Sequence, residues 1–423
     1  MKSSSKTKQK NIYVFADWEN MEGPQLMGTL LASQSRGKEV FSFEYDTKWL
    51  NSKYARSLDP KLLLFSGPQY PNPEHLNFGI FLDSSPDRWG RVLMRRREAQ
   101  AAREEKRAAR TLMESDYLLG VFDAYRMGAL RFKLDLEGLF LDDNQEIAAP
   151  PWAKLRELEH ASLQIEKCES ENAKDYNKWL KLLIAPGGSL GGARPKASVV
   201  DEKRELWIAK FPSANDDLNI GAWEFLVHKL AVMAKINVPK AQLKRFTGKY
   251  DTFLTKRFDR VKGKRVQFAS AMTLLNKQDG DGAEEGVSYL DIVDLLIQYG
   301  SQVEEDLEEL WRRIVFNICV SNTDDHLRNH GFLLTNKGWR LSPAYDINPS
   351  ETGNGLKLNI SQDDNSQDLE LALEVAEYFR LNKSRAKKII TEVTKAVCQW
   401  KILAKKSFPP SEISRMEGAF RIV

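Results

Sequence analysis

Two carboxylates and one amide in the second half of the sequence have the types and spacing that phosphoryl transfer requires. Asp324 and Asn329 are separated by four residues, in the pattern D-x-x-x-x-N, and Asp346 follows seventeen residues later. In such a reaction one carboxylate meets the attacking hydroxyl, while an amide and a second carboxylate hold magnesium on the phosphates. Hard oxygen ligands of this kind suit Mg²⁺. The spacing therefore indicates ATP- and magnesium-dependent phosphoryl transfer.

The elements around these residues strengthen the prediction. Asp and Asn are common turn residues, so a D-x-x-x-x-N match alone is weak, and a simple turn with a helix cap is the alternative. Here an apolar helix over residues 310–320 leads into the polar segment 321–329, and a short hairpin is predicted over 331–342. Asp346 follows that hairpin, where a second metal-binding carboxylate is needed.

A zinc site at the same place is a poor alternative. His326 and His330 are four residues apart, as in some helical zinc pairs, but no third ligand is close in sequence and the region is predicted to be a loop. We expect His326 to orient the loop by hydrogen bonding instead.

A glycine-rich segment upstream could bind phosphates. Residues 187–192 are rich in glycine and are followed by Arg194 and Lys196. Glycines let the backbone approach phosphate oxygens and direct its N–H groups at them. The segment lacks the spacing of a Walker motif or of a G-x-G-x-x-G loop, so a plain turn is the alternative.

One lysine after this loop is a candidate for a second phosphate contact. Lys210 lies in a predicted strand, and Glu224 in the next helix could be its ion-pair partner. An ordinary surface lysine and an ordinary helix glutamate are the alternatives.

The order of predicted elements suits a two-lobed nucleotide-binding enzyme. Phe41, Phe43 and Tyr45 alternate with polar residues, which is typical of a half-buried strand. The remaining pattern, in chain order, is strands over 11–48, an irregular stretch over 49–85, a helix over 88–113, a returning strand within 116–132, helices over 151–185, two strands over 196–211 joined by a charged turn, a helix over 218–236, strands over 250–268, and helices beyond 270 apart from the hairpin.

The predicted helix over 88–113 is strongly basic. It carries nine basic and three acidic residues between Arg88 and Arg110. A solvated helix face is one interpretation, and a contact surface for a partner or a phosphate backbone is the other.

Composition limits the class of protein. The 423 residues are 42% hydrophobic and 29% charged, with a formal net charge of +4, which suits a globular protein and is too weak to indicate a nucleic-acid binder. The three cysteines, Cys168, Cys319 and Cys398, form no C-x-x-C pair, so we expect a reducing, cytoplasmic setting. No apolar run reaches the roughly 18–20 residues of a membrane helix, and the polar residues 1–10 are predicted to be a disordered tail.

Several segments together resemble one protein family. They are residues 41–45 (FSFEY), 87–91 (DRWGR), 116–120 (DYLLG), 127–132 (MGALRF), 189–196 (SLGGARPK), 256–260 (KRFDR), 322–329 (NTDDHLRN) and 343–346 (PAYD). The chain resembles, from about residue 12 to 400, the HipA family of bacterial serine/threonine kinases, the toxins of type II toxin–antitoxin systems. Lys256 stands where the family often has an acidic residue; because the adenine contact there would be made by backbone, we expect little effect.

The resemblance implies a fold and a domain order. It implies an α+β, two-lobed protein-kinase-like fold with a β-rich N-terminal subdomain and a mostly helical C-terminal lobe. The expected segments are an N-terminal subdomain over 11–135, a nucleotide-binding part over 136–268 with the phosphate loop and hinge, and a helical catalytic lobe over 269–423.

The resemblance also implies roles for individual residues. Asp324 would be the catalytic base, Asn329 and Asp346 would bind magnesium, and Ser189 would be autophosphorylated. A phosphate at Ser189 would disfavour the loop's place beside ATP and inactivate the kinase. The residues expected to bind ATP are Gly191, Gly192, Ala193, Arg194, Pro195, Lys196, Lys210, Lys256, Arg257, Phe258, His326, Leu327, Arg328, Asn329, Tyr345 and Asp346.

The expected partners follow from the family as well. They are a protein substrate, for which an aminoacyl-tRNA synthetase is one candidate, and a small helix-turn-helix antitoxin through which the chain would meet DNA; no membrane partner is expected. Two alternatives stay open: a non-catalytic corepressor bound to its antitoxin on operator DNA, and a small-molecule phosphotransferase. The complete set of Asp324, Asn329 and Asp346 argues against the first, and the N-terminal segments with the Ser189 loop argue against the second.

Overall fold

The computed structural model describes residues 9–35, 37–141, 151–167, 175–187, 192, 194–246 and 248–421. The chain divides into two compact units. The first contains Met1–Ala214 and Asp259–Ala269, and the second contains Asn215–Phe258 and Ser270–Val423. The predicted three-part division at residues 135 and 268 stays a prediction.

An antiparallel sheet with strand order β3-β2-β1-β4 forms the N-terminal part of the first unit. Its strands are β1 Gln9–Ala16, β2 Gln25–Ser35, β3 Lys38–Tyr45 and β4 Leu130–Lys133. Alternate residues are buried along each strand, because successive side chains point to opposite faces of a sheet. Phe41, Phe43 and Tyr45 are buried as their alternation predicted.

The first strand begins earlier than the sequence suggested. Gln9 and Lys10, predicted to belong to a disordered tail, pair with Ser33 and Ala32 of β2. The Lys10 ammonium also donates to Asp116 Oδ1 at 2.9 Å, which fixes this end of the strand. The predicted tail therefore overlaps β1 at these two residues, and its first eight residues lie outside the described part of the chain.

Six α-helices lie in the described residues of the first unit. They are α1 Thr47–Leu50, α2 Gly79–Asp83, α3 Arg88–Glu104, α4 Glu114–Leu119, α5 Leu155–Lys167 and α6 Tyr176–Gly187. The stretch predicted as a returning strand within 116–132 is a strand only over β4, because residues 114–119 fold as α4. At the start of that helix, the Asp116 carboxylate accepts from the Met113 N–H at 2.9 Å.

The basic residues around α3 are largely satisfied within the first unit. Arg91 makes a two-pronged ion pair with Glu114, with nitrogen–oxygen distances of 2.7 and 2.6 Å. Arg107 pairs with Glu98 at 2.5 Å. Arg110, which follows the end of α3 at Glu104, pairs with Asp116 at 3.1 Å. These pairs favour the interpretation as a structural, solvated face over a phosphate-binding surface.

Two further hairpins complete the first unit. The predicted pair of strands over 196–211 is present as β5 Lys196–Val200 and β6 Leu206–Lys210. Asp201 closes the charged turn between them by accepting from the N–H groups of Lys203 and Glu205 at 2.9 and 2.8 Å. The other strands are β9 Arg260–Val261, β10 Lys264–Arg265 and β11 Phe268–Ser270, which runs into the second unit.

The second unit is mostly helical, as predicted. Its elements are α7 Ile220–Met233, β7 Ala241–Lys244, β8 Thr252–Lys256, α8 Ala271–Leu274, α9 Tyr289–Tyr299, α10 Val303–Val320, β12 Gly331–Thr335, β13 Gly338–Leu341, α11 Leu369–Glu374, α12 Lys383–Val397, α13 Trp400–Ala404 and α14 Pro410–Arg415. Helix α10 is buried along its last eleven residues. No helix in the described ranges has the length and hydropathy needed to cross a bilayer.

Candidate active site

The catalytic segment predicted from the sequence begins where α10 ends. Ser321 follows the helix in the left-handed region, with φ 49° and ψ 49°, and so turns the chain sharply. The Asn322 N–H still donates to the Asn317 carbonyl at 3.0 Å, which ties the start of the loop to the helix. The hairpin β12–β13 then follows in the predicted position.

Asp324 is the one exposed residue in segment 321–329, whose other residues are buried or half-buried. Its carbonyl oxygen accepts from Asn329 Nδ2 at 3.0 Å and from the His326 N–H at 2.9 Å. The backbone carbonyl of residue 324 is thereby held by two donors, while its side chain is exposed to solvent. A general base needs this combination of a fixed backbone and an accessible side chain.

The neighbouring carboxylate, Asp325, is buried and is the centre of a hydrogen-bond network. Its Oδ2 accepts from Tyr289 Oη at 2.7 Å and Asn317 Nδ2 at 2.8 Å, and lies 2.9 Å from His330 Nε2. Burial alone would raise the pKa of Asp325, but attraction to His330 and the hydrogen bonds from His330 and Tyr289 lower it below its usual range. Burial and the nearby Asp325 charge raise the pKa of Tyr289 well above its usual value, so its hydroxyl stays a donor.

His330 is the histidine whose ring contacts this network, and the orienting role expected of His326 stays a prediction. We expected His326 to orient the loop, and its backbone N–H does bond to Asp324. The buried Nδ1 atoms of both rings have no hydrogen-bond partner among the described residues, and Nε2 of His330 contacts Asp325. Both histidines lie in the loop and its exit, and no group of three or more His, Cys, Asp or Glu side chains in the described ranges could hold a metal ion.

Asp346 occupies a strained backbone position. Its φ of 58° lies in the left-handed region, which is uncommon for residues other than glycine and clusters at functional sites. Asn348 Nδ2 donates to Asp346 Oδ1 at 3.0 Å and so orients the carboxylate. The preceding Tyr345 donates its hydroxyl to the Arg328 carbonyl at 2.6 Å, which joins the metal-binding segment to the catalytic loop.

The donor set fits magnesium. Asp346 supplies a carboxylate, and the side-chain amide of Asn329 directs its nitrogen to Asp324, which leaves its oxygen as the group able to meet a cation. Oδ1 of Asn348 is buried beside Asp346 and has no hydrogen-bond partner in the part of the chain that the structure describes. A few hard oxygen donors suit Mg²⁺, which takes its remaining ligands from water and phosphate.

The predicted hinge residues lie in the same unit as the catalytic loop. Lys256 ends β8, and its N–H donates to the Lys240 carbonyl at 2.8 Å. Arg257 is buried, and the Phe258 ring packs at 5.5 Å from the ring of Tyr345. Tyr345 therefore links the predicted hinge to the predicted metal-binding segment, a contact that its sequence position alone did not reveal.

The glycine-rich loop belongs to the first unit, and its described part is anchored to the start of α3. Ser189, Gly191 and Ala193 lie outside the described residues. Gly192, with φ 83°, donates its N–H to the Asp87 carboxylate and accepts at 3.3 Å from the Trp89 N–H. Trp89 Nε1 donates to the Lys196 carbonyl at 3.1 Å. The DRWGR segment is thus the support of this loop, which the sequence did not show.

The two lysines predicted to bind phosphate lie opposite each other in the first unit. Lys196 of β5 is the register partner of Lys210 of β6, so their side chains share one face of the hairpin. Glu224 is buried in α7 of the second unit, and its ion pair with Lys210 stays a prediction.

A comparison with protein families decides the relationship. The family model described as the HipA-like C-terminal domain matches residues 188–400, about half of the chain. The chain belongs to the HipA family. Within this HipA-family chain the match includes the glycine-rich loop, the hinge, the catalytic loop and Asp346.

Two similar proteins support the assignment. A solved HipA of Shewanella oneidensis MR-1, in a complex with HipB and its operator DNA, superposes with a TM-score of 0.67 at 18% identity, covering 96% of this chain and 94% of that one. This likeness confirms the predicted kinase-like α+β fold. A Haemophilus influenzae protein named "Putative kinase" is 27% identical over 180 residues, 38% of this HipA-family chain and 52% of the relative. The chain thus spans about half the length of the curated relative it matches.

Proposed function

We propose that this chain is an ATP- and magnesium-dependent serine/threonine protein kinase of the toxin type. The observation that carries the proposal is the exposed Asp324 carboxylate on a loop fixed by buried hydrogen bonds, with Asn329 and Asp346 in the same unit. A chain that had lost catalysis would have no need to keep all three groups together with their supporting contacts. This argues against a purely structural corepressor.

In the proposed reaction Asp324 accepts the proton of an acceptor serine hydroxyl. The serine oxygen forms a bond to the γ-phosphorus of ATP, and the bond between that phosphorus and the bridging β–γ oxygen breaks, so that ADP leaves. Magnesium held by Asn329 and Asp346 would neutralise charge on the phosphates. Lys210 and residues 191–196 are proposed to bind those phosphates, and residues 256–258, with 326–328 and Tyr345, the rest of the nucleotide.

The acceptor is proposed to be a protein serine, in trans on a substrate and in cis at Ser189. An aminoacyl-tRNA synthetase is our candidate substrate, by likeness to the family. The Shewanella HipA structure contains HipB and operator DNA, which supports a small helix-turn-helix antitoxin as the partner of this chain and DNA contact through that antitoxin. A cytoplasmic location is proposed with it.

A labelling experiment tests the proposal. Purified chain with magnesium and γ-labelled ATP should label itself, with the phosphate mapped to Ser189 by peptide mass spectrometry. Asp324→Asn should abolish labelling and leave the unfolding temperature unchanged, because the side chain is exposed. Asp363→Asn, at an exposed aspartate of the 361–366 loop in the same unit, is the matched control and should label normally. Wild-type protein that neither turns over ATP nor binds it would refute the proposal.

A further inference from the structure

A chain of amide side chains connects the two acidic segments of the second unit. Asn317 Nδ2 donates to Asp325 Oδ2 at 2.8 Å, and Asn317 Oδ1 accepts from Asn322 Nδ2 at 3.1 Å. Asn322 Oδ1 accepts from the Asn348 N–H at 3.3 Å. Asn348 Nδ2 then donates to Asp346 Oδ1 at 3.0 Å. The network therefore runs without interruption from the catalytic loop to the metal-binding segment.

The ionised carboxylate at one end determines the orientation of the Asn317 and Asn322 amides. An ionised Asp325 only accepts hydrogen bonds, so Asn317 must direct its nitrogen to Asp325 and its oxygen to Asn322. Asn322 must then direct its nitrogen to Asn317, which leaves its oxygen for the Asn348 N–H. A flipped amide at either position would place two donors or two acceptors against each other.

Burial makes this arrangement rigid. Asn317, Asn322 and Asp325 have exposed fractions of 3%, 1% and 4%, so water does not readily replace a lost partner. A hydrogen bond is stronger in such surroundings, and an unmade one is costly. A second tie runs parallel to the amides, because the Ser350 N–H donates to the Ser321 carbonyl at 3.0 Å. Segments 321–325 and 346–350 are thereby held as one piece.

We propose that Asn317 and Asn322 are positioning residues that hold Asp346 in register with Asp324 and so set how well the site uses magnesium-bound nucleotide. Neither side chain is proposed to touch substrate or metal; both act through Asn348 and Asp325. The inference rests on the proposed kinase function. Partners that orient a metal-binding group typically change metal affinity or activity by about 10- to 100-fold when they are mutated.

Binding measured with and without magnesium separates this role from a general loss of structure. Calorimetry would give the affinity for a non-hydrolysable ATP analogue in excess Mg²⁺ and in EDTA, for wild type, Asn322→Ala and Asn348→Ala. In EDTA, the nucleotide affinity of both variants should stay within about twofold of the wild-type value. The increase in affinity on adding magnesium should be about 10- to 100-fold smaller in the variants than in wild type. In turnover at saturating magnesium, KM for ATP should rise with the lost affinity, and kcat should fall because Asp346 is no longer held in register with Asp324.

The matched control is a buried asparagine outside the network. Asn359 has an exposed fraction of 2%, and its Nδ2 donates to the carbonyls of Ala283 and Gln362 at 3.1 and 3.3 Å. Asn359→Ala therefore removes the same side chain at the same depth and should keep the wild-type gain from magnesium. The double variant of Asn317→Ala with Asn322→Ala should lose no more than the worse single variant, because a single connection can be broken only once.

Each outcome has a distinct meaning. Wild type that gains no nucleotide affinity from magnesium would refute the kinase function, and the inference with it. If wild type shows the gain and both Asn322→Ala and Asn348→Ala retain it in full, the positioning role alone is wrong. An equal loss in Asn359→Ala would also overturn it. Asn348→Ala alone does not decide the question, because Asn348 Oδ1 lies beside Asp346 among the candidate magnesium donors. Should Asn322→Ala fail to fold, Asn322→Ser, whose shorter side chain cannot reach both Asn317 and Asn348, decides it instead.

Discussion

Gly353 lies against the side chain of Thr323, the residue that precedes the proposed catalytic base. A methyl group built at Gly353 would lie 2.7 Å from Cβ of Thr323 and closer still to its hydroxyl and methyl groups. Real Cβ atoms essentially never come this close to another heavy atom, so only glycine fits without a shift of the catalytic loop. The segment after Asp346 therefore limits, through Gly353, how far Thr323 and its loop can move.

Gly353→Ala should lower kcat by about 10- to 100-fold, because a displacement of roughly 1 Å at a reacting group can cost about that much. Overpacking should also lower the free energy of unfolding by about 1–3 kcal/mol. Steady-state kinetics and urea unfolding measure the two effects. Combining Gly353→Ala with Thr323→Ala should restore part of the activity, since the second substitution removes two of the three atoms closest to the new methyl group. Gly418→Ala, where the nearest atom would be 3.8 Å away, is the control and should behave as wild type.

Asp325→Asn should destabilise the protein at neutral pH and much less in acid. The pKa of Asp325 in the folded protein lies below its usual value, so ionised Asp325 stabilises the fold above the unfolded pKa of about 3.9, and this contribution is lost as the pH falls through the folded pKa. Because the variant leaves His330 and Tyr289 without their charged partner, we expect a loss of about 3 kcal/mol at pH 7. Urea unfolding should show a smaller difference in the free energy of unfolding between wild type and Asp325→Asn at pH 3 than at pH 7.

Asp306 is a second buried carboxylate, and its pKa is shifted in the opposite direction to that of Asp325, so it provides a control. Burial raises the pKa of Asp306 above its usual value, despite hydrogen bonds from Arg340 and the Leu341 N–H. The contribution of Asp306 to stability is therefore greatest at low pH and falls as the pH rises through its folded pKa. The stability difference between wild type and Asp306→Asn should change with pH in the opposite direction to that for Asp325→Asn. Parallel pH profiles would contradict both assignments.

The sequence predicted the elements of the candidate site better than it predicted their supports. The D-x-x-x-x-N spacing, the hairpin and Asp346 were found because their separation along the chain is short and their chemistry is specific. Asp325, Tyr289 and Asn317 were missed because they come from α9, α10 and the loop, and only folding brings their side chains together. The one local signal for Asp325 was the Asp-Asp dipeptide, in which one carboxylate is exposed and the other buried.

In the fold, too, features set by neighbouring residues were predicted and features set by distant contacts were missed. Period-two burial in β3 and the charged turn between β5 and β6 were predicted because both follow from neighbouring residues. The early start of β1 was missed because the tie of Lys10 to Asp116 joins residues more than a hundred positions apart. The DRWGR segment was recognised only as part of a resemblance, and its contact with Gly192 is likewise nonlocal.

Cys319 and Cys398 should differ sharply in reactivity. Burial, with a smaller effect of nearby Cys398, raises the pKa of the Cys319 thiol to about 12, whereas Cys398 is exposed. The thiolate is the reactive form, so iodoacetamide at pH 8 should modify Cys398 in the folded protein and Cys319 only after unfolding. Peptide mass spectrometry at successive times measures both. Modification of Cys319 at the same rate as Cys398 in native buffer would show that the end of α10 opens readily.

Asp87→Ala should release the described end of the glycine-rich loop and weaken nucleotide binding. The substitution removes the acceptor of the Gly192 N–H and the side chain that begins α3, where Asp87 Oδ1 accepts from the Arg88 N–H at 2.5 Å. Loss of the helix cap should lower the free energy of unfolding by about 1 kcal/mol. Hydrogen exchange at Gly192 should accelerate, because its N–H no longer has a fixed acceptor, and KM for ATP should rise by about tenfold if the anchored loop holds the phosphates.

The variant Asn382→Ala distinguishes the loss of a helix cap from the loss of the contact between Asp87 and Gly192. Asn382 begins α12 in the second unit, where Oδ1 accepts from the Arg385 N–H at 2.9 Å, so its loss should cost a similar amount of stability. It has no described contact with the loop, and KM for ATP should stay at the wild-type value. If the two variants raise KM equally, the effect of Asp87→Ala comes from lost stability. If Gly192 exchanges no faster in Asp87→Ala, the carboxylate does not hold the loop, and Trp89, through the Gly192 and Lys196 carbonyls, is its remaining anchor.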